Sequence, residues 1–201
     1  MMQFFEASGC WGDSQFAYRK GHSAQDVLAY VCTSWLLALQ NNFRIGVYCS
    51  DIKGAFDRVC TALLLFKCAW YGLPEKAIRF LEAYLSKRSA QVVVGGHFSE
   101  MFDLSDQVFQ GTVLGPKLWN TFFADIRFVV QSCGLTDLLF ADDLNAFQIF
   151  DRAANNDEIL EGLKRCQSKC HEWGRANQVE FESTKESFCI IDRSSPFGDG
   201  F

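Results

Sequence analysis

The chain has 201 residues, 49% of them apolar, with 20 Phe, 9 Cys and a formal net charge of -5. That apolar content can build a sizeable core and excludes a disordered chain, while the acidic balance argues against strong autonomous binding of nucleic acid. Met1-Met-Gln-Phe-Phe-Glu has neither the basic start nor the long apolar core of a signal peptide, so the cysteines read as reduced, mostly buried thiols of an intracellular protein.

In chain order, a helix is predicted from Ser23 to Gln40; its Val27 to Leu39 stretch, interrupted by Thr33 and Ser34, is too short to span a bilayer. Phe43-Arg-Ile-Gly-Val-Tyr-Cys-Ser-Asp51 reads as a buried strand ending in an acid, and Ile52-Lys-Gly-Ala-Phe-Asp-Arg58 as a turn entering a helix. Open α/β sheets place ligand-binding groups at the carboxyl ends of strands, which makes Asp51 a candidate ligand and Asp57 a weaker one. Two helices follow, near Thr61 to Tyr71 and Glu75 to Ser86, separated by Gly72-Leu-Pro74. Gln91 to Ser99 reads as a hairpin turned at Gly95-Gly96.

Gln107-Val-Phe-Gln-Gly-Thr-Val-Leu-Gly-Pro-Lys-Leu118 is a glycine-bearing loop running into an apolar helix. Pro116 suits that helix's first turn, and Gly111 would let the backbone approach a ligand closely. Asp142 and Asp143 then sit inside Leu138-Leu-Phe-Ala-Asp-Asp-Leu-Asn-Ala-Phe147, where the flanking apolar residues predict two strands with the acids at their hairpin turn. Adjacent carboxylates at a turn are either solvated turn residues or ligands of a hard divalent cation that offsets their repulsion. A helix from about Asn156 to Ala176 and strands near Val179 to Phe181 and Ser187 to Asp192 complete the order. Cys166, Cys170 and His171 have ligand-like chemistry, but no second pair completes a tetrahedral zinc site.

Five stretches in this order resemble the reverse transcriptases of non-LTR (LINE-type) retrotransposons. Gln15-Phe-Ala-Tyr-Arg-Lys-Gly-His-Ser23 with Asp26 is similar to the family's fingers-side stretch, with His22 where Arg is common. Ser50-Asp-Ile-Lys-Gly-Ala-Phe-Asp-Arg-Val59 resembles motif A, Gln110-Gly-Thr-Val-Leu-Gly-Pro-Lys-Leu118 motif B, Phe140-Ala-Asp-Asp143 motif C, and His171 to Phe181 with Lys185 motif D. Each motif alone is weak; their joint order is specific.

The resemblance implies an α+β fold: a polymerase palm, with a split βαβ, ferredoxin-like sheet and packed helices, plus partial fingers. It implies a fingers-like segment over 1–42, a palm over 43–193 and a tail over 194–201. Asp51, Asp142 and Asp143 would hold two Mg²⁺ ions, with Mn²⁺ as a substitute, for RNA-directed DNA synthesis from a primer 3′-hydroxyl. Phe56 would exclude the ribose 2′-hydroxyl, unless it is simply a core residue; Gln110 and Gly111 would line the nucleotide pocket, and Lys185 would protonate the leaving pyrophosphate, unless it is a solvated surface charge beside Glu186.

The partners implied are an RNA or DNA template with its primer and deoxynucleoside triphosphates, with no membrane role. Arg19 and Lys20, with Lys87 and Arg88, would track phosphates, unless they are ordinary solvated surface charges. The resemblance also implies nuclear action, although no basic targeting run is present, and a fragment, truncated element copy or incomplete gene model lacking the upstream fingers and downstream thumb. The competing expectation is a non-catalytic remnant that keeps the fold and binds nucleic acid or protein. A phosphoacceptor receiver domain shares the residue types but not their order along the chain.

Overall fold

The strand that ends in Asp51 is a central strand of an antiparallel sheet, with elements packed on both of its faces. The computed structural model describes residues 2–86, 88–104 and 106–193, so Lys87 and the tail 194–201 lie outside the described residues. The order opens with helices α1 (Met2–Ala7) and α2 (Ala24–Gln40), strand β1 (Arg44–Asp51), a 3-10 turn (Ala55–Arg58), and helices α3 (Thr61–Trp70) and α4 (Glu75–Leu85). Short strands β2 (Arg88–Ala90), β3 (Val93–Val94), β4 (His97–Phe98) and β5 (Phe102–Leu104) precede helices α5 (Gly115–Phe123) and α6 (Ile126–Ser132). Strands β6 (Thr136–Phe140) and β7 (Asp143–Phe150), helix α7 (Asn156–Asn177) and strand β8 (Ser187–Ile191) finish the chain.

These elements form two compact units, Met1–Cys10 with Gly54–Phe122, and Trp11–Lys53 with Phe123–Phe201. The second unit holds the sheet, ordered β6-β7-β1-β8 with every neighbouring pair antiparallel. That is the ferredoxin-like order of a split βαβ arrangement. Ile45 and Val47 on one face of β1 join Ala38 of α2, Leu138 of β6 and Phe147 of β7 in one buried cluster, against which Val31, Trp35 and Leu39 pack. On the other face, a Cβ added at Gly46 would lie 2.6 Å from Ile159 Cγ2 of α7, so glycine lets that helix sit close to the strand. Burial on both faces explains why β1 reads as a continuous apolar run rather than an alternating one.

Capping residues set the two helices that flank the sheet. Ser23 accepts from the Asp26 amide at the start of α2, and Asn155 accepts from the Glu158 amide at the start of α7. Gln178, at φ 61, closes α7 in the left-handed conformation.

In the first unit, Pro74 precedes α4 and apolar side chains of α3 and α4, among them Leu64, Cys68, Leu81 and Leu85, are buried. Lys67 is buried too; its ammonium donates to the Phe122 carbonyl at 2.7 Å and lies 4.5 Å from the Phe122 ring centre. Gly95 and Gly96, at φ 57 and 82, turn the β3–β4 hairpin as a mirror-image turn needs.

Two expectations change. Val179 to Phe181 is not a strand: Phe181 makes only an isolated bridge with Ile52. The Val179 amide is still bonded to Gly174 at the end of α7, and the chain turns again where Lys185 N donates to Glu182 O, leaving room for a single bridge. The apolar helix after Pro116 is broken into α5 and α6. Among the described residues no helix is long and apolar enough to cross a membrane.

Candidate active site

Asp51 ends β1, Asp143 begins β7, and the two are direct partners in the β1–β7 register. Strand alternation puts Asp51 on the face of Ile45, Val47 and Cys49, and Asp143 on the matching face of β7. Phe140 pairs with Asp143, so Ala141 and Asp142 alone form the β6–β7 turn. The acids therefore do not share the turn; Asp142 is in it, and Asp143 is already in the strand. Ala141 has φ 58 where a mirror-image turn usually has glycine.

The Asp51 charge acts on both neighbouring carboxylates. Asp142 titrates above the ordinary carboxylate range, first because it is half-buried, then through the charges of Asp51 and Asp143 and a hydrogen bond with Asp51. Asp143, more exposed, is raised by partial desolvation and by the Asp51 charge, with the Lys185 ammonium opposing. Lys185 hydrogen-bonds the Asp51 carboxylate through Nζ while its side chain stays 64% exposed. That contact raises the Lys185 pKa.

The neighbouring acid, Glu186, has a different task. Its carboxylate accepts from Tyr48 Oη at 2.5 Å and from Gln167 Nε2 at 3.1 Å, and lies 2.9 Å from His171 Nε2. This buried knot ties β1, α7 and the start of the β8 strand just beyond Lys185. His171 therefore faces a carboxylate, while Cys166 and Cys170 are fully buried thiols.

Other candidate residues lie as follows. Phe56 is half-buried in the first unit, stacked on Trp119 of α5 with ring centres 5.9 Å apart, and its carbonyl accepts from the Val108 amide at 2.8 Å. Phe56 and the loop before α5 are thereby brought together. Gln110 and Gly111 are exposed on that loop, with Gly111 at φ 76, and Thr112 Oγ1 holds it by bonding the Phe109 carbonyl and the Gly115 amide. Arg88 lies between the rings of Tyr84 and Phe109, 4.3 and 4.1 Å from their centres. Arg19 donates to the Gly12 carbonyl at 2.5 Å and the Gln15 carbonyl at 3.0 Å, whereas Lys20 and Asp57 are exposed.

One residue near the acids has no role implied by its sequence motif. Gln15, 1% exposed, bonds both backbone groups of Ala141: Oε1 accepts from its amide at 3.1 Å and Nε2 donates to its carbonyl at 3.2 Å. Apart from its place within the matched stretch, nothing in the sequence marks it.

Among the described residues no group of three or more His, Cys, Asp or Glu side chains is gathered tightly enough to hold a metal ion by itself. The donor chemistry nonetheless fits a hard divalent cation. Two carboxylates are raised by burial and by neighbouring acids, a repulsion that such a cation relieves. Mg²⁺ is usually held by one or two carboxylates completed by water and substrate phosphates, not by an all-protein cage.

Residues 3–197 match the family model described as reverse transcriptase (RNA-dependent DNA polymerase). The chain is 26% identical over 174 residues to the RNA-directed DNA polymerase from mobile element jockey of Drosophila melanogaster, covering 85% of this chain and 19% of that protein. It is 27% identical over 201 residues to the probable RNA-directed DNA polymerase from transposon X-element of the same species, covering 98% and 22%. The chain thus spans about a fifth of the length of these curated relatives. Among solved structures, the apo telomerase of Candida tropicalis truncated from its C-terminal domain superposes with a TM-score of 0.70 at 16% identity, over 97% of this chain and 40% of that one. Candida tropicalis telomerase in complex with a fragment of telomeric RNA gives 0.70 at 14% identity, over 100% and 34%. Those likenesses concern the fold.

Proposed function

Because the chain belongs to the reverse transcriptase (RNA-dependent DNA polymerase) family, we propose that it carries the palm chemistry of an RNA-directed DNA polymerase, extending a primer with deoxynucleotides along an RNA or DNA template. The observation that carries this reading is the direct opposition of Asp51 and Asp143, with Asp142 in the adjoining turn.

In this reading residues 43–193 act as the palm and 1–42 as part of the fingers. Asp51, Asp142 and Asp143 would hold two Mg²⁺ or Mn²⁺ ions, which when bound supply activation of the primer 3′-hydroxyl and charge stabilisation at the leaving pyrophosphate. The remaining steps belong to the chain's own side chains. Lys185, held at Asp51 and kept protonated by it, donates a proton to the departing pyrophosphate. Phe56, braced by Trp119, excludes a 2′-hydroxyl from the sugar position. Gln110 and Gly111, on an exposed loop whose open backbone admits a ligand, contact the nucleotide. Arg19 and Lys20 contribute charge to the nucleic-acid backbone, Arg19 while its guanidinium also holds the Gly12 and Gln15 carbonyls.

The test is primer extension on poly(rA)·oligo(dT) with Mg²⁺ or Mn²⁺, comparing the chain with Asp142→Ala and Asp143→Ala. Incorporation lost in both variants supports the reading. A chain shown to be folded that incorporates nothing, yet binds the duplex, supports a non-catalytic retroelement remnant instead.

A further inference from the structure

The turn that carries the acids is held from outside its own hairpin. Ala141 has φ 58, a conformation that costs an L-residue with a Cβ roughly 1–2 kcal/mol. Support comes from 126 residues upstream, where Gln15 Oε1 accepts from the Ala141 amide at 3.1 Å and Gln15 Nε2 donates to the Ala141 carbonyl at 3.2 Å. Gln15 Oε1 also accepts from the Ala17 amide at 3.0 Å, so both of its lone pairs are engaged and the carboxamide has one orientation.

The clamp is itself braced. Leu139 N donates to Ser14 O at 2.8 Å and Phe16 N to Leu139 O at 3.0 Å, which lays residues 14–16 along the edge of β6 and brings Gln15 beside the turn. Arg19 holds the Gln15 carbonyl from behind. With the amide and carbonyl of Ala141 both fixed, the directions in which the chain leaves toward Asp142 and Asp143 are fixed with them.

We infer that Gln15 is a positioning residue for the divalent-metal site, acting through the Ala141 backbone to hold Asp142 and Asp143 in the ligating arrangement. This rests on the reading of those acids as metal ligands. The side chain touches neither the metal nor the substrate. Its effect on metal affinity is that of an outer-shell partner, about 10-fold or more on loss.

The experiment uses the full chain and two readouts. Gln15→Met keeps the length and removes the hydrogen bonds; Ala141→Gly removes the need for them, because glycine adopts the positive φ without strain. Mn²⁺ affinity is measured by electron paramagnetic resonance, and backbone protection of the 140–144 turn by hydrogen exchange without metal. Gln15→Met is expected to weaken Mn²⁺ binding roughly 10-fold and to deprotect the turn, Ala141→Gly to bind as the parent does, and the double variant to recover most of the lost affinity. Unchanged Mn²⁺ affinity in Gln15→Met, or no recovery in the double variant, overturns the proposal by leaving Gln15 a purely structural role.

Should Gln15→Met fail to fold, the parent chain decides: an Ala141 amide that exchanges as freely as an open turn overturns the clamp, and a protected one supports it. An Asp142→Asn control separates the two readings. If it leaves Mn²⁺ affinity unchanged, the metal-site reading fails, and the exchange data still judge the clamp.

Discussion

Asp51 and Asp143 face one another as direct cross-strand partners, the last residue of β1 against the first of β7. Like charges so placed destabilise a sheet, and the Lys185 ammonium on Asp51 offsets only part of that repulsion. The arrangement is a local conflict between stability and the chemistry proposed for the site.

Removing charge from the turn should therefore stabilise the metal-free chain. The folded-state pKa values of Asp142 and Asp143 lie above the ordinary carboxylate range, so the folded chain binds more protons than the unfolded one between the two values. Stability consequently rises as pH falls through the folded-state pKa, and the penalty is fully present at neutral pH. Asp142→Asn is expected to raise Tm at pH 7 in EDTA, with the gain shrinking as the pH approaches the ordinary carboxylate value. Thermal melts across pH 4 to 8 check this. A variant less stable than the parent at pH 7 would show that the carboxylate is satisfied as it stands.

Phe56 stacks on Trp119 and is tied by its carbonyl to the loop before α5, so its ring is braced rather than free. A braced ring can discriminate by shape. Phe56→Val should raise ribonucleotide incorporation relative to deoxynucleotide incorporation by roughly 10- to 100-fold, the scale on which small steric differences in an apolar pocket are read. The ratio of the two kcat/KM values measures it. An unchanged ratio returns Phe56 to the plain role of a half-buried core residue.

How much was legible in the chain depends on the range of the contact. Local signals read cleanly. The helices near Ser23 to Gln40 and Asn156 to Ala176, the Gly95-Gly96 turn, and the acid at the end of an apolar strand each depend on neighbours a few residues away. Elements that depend on distant partners did not read. β2 and β5 pair over three residues each and have no periodic pattern of their own. Gln15 differs from any loop glutamine only because Ala141 lies against it in space. Glu186 would pass for a surface charge, yet Tyr48, Gln167 and His171 converge on it from β1 and α7.

That buried knot should be costly to open. Tyr48 is fully buried, and its hydroxyl titrates far above the usual phenol range because burial and the hydrogen bond to Glu186 both favour the neutral form. Glu186→Ala leaves the hydroxyl without that acceptor, a loss of about 1–3 kcal/mol. Tyr48→Phe with Glu186→Ala should cost less than the two single changes added together, since each removes the same contact. Urea unfolding of the three variants gives the coupling; strict additivity would mean that the bond contributes nothing.

Lys185 offers a sharper separation, because its two roles move in opposite directions when it is removed. Its ammonium sits on Asp51, in competition with any divalent cation for that carboxylate. As a counter-ion alone, it can be lost with profit to metal binding: Lys185→Met should bind Mn²⁺ more tightly. As the proton donor to pyrophosphate, its loss should lower the rate of incorporation by roughly 10²- to 10⁴-fold, the usual contribution of a placed general acid. The Asp51 contact raises its pKa, so the acid form persists through neutral pH. Single-turnover incorporation at saturating Mg²⁺, measured beside Mn²⁺ affinity, reads both effects. Tighter metal binding with an unaltered rate would leave Lys185 as a counter-ion to Asp51 and nothing more.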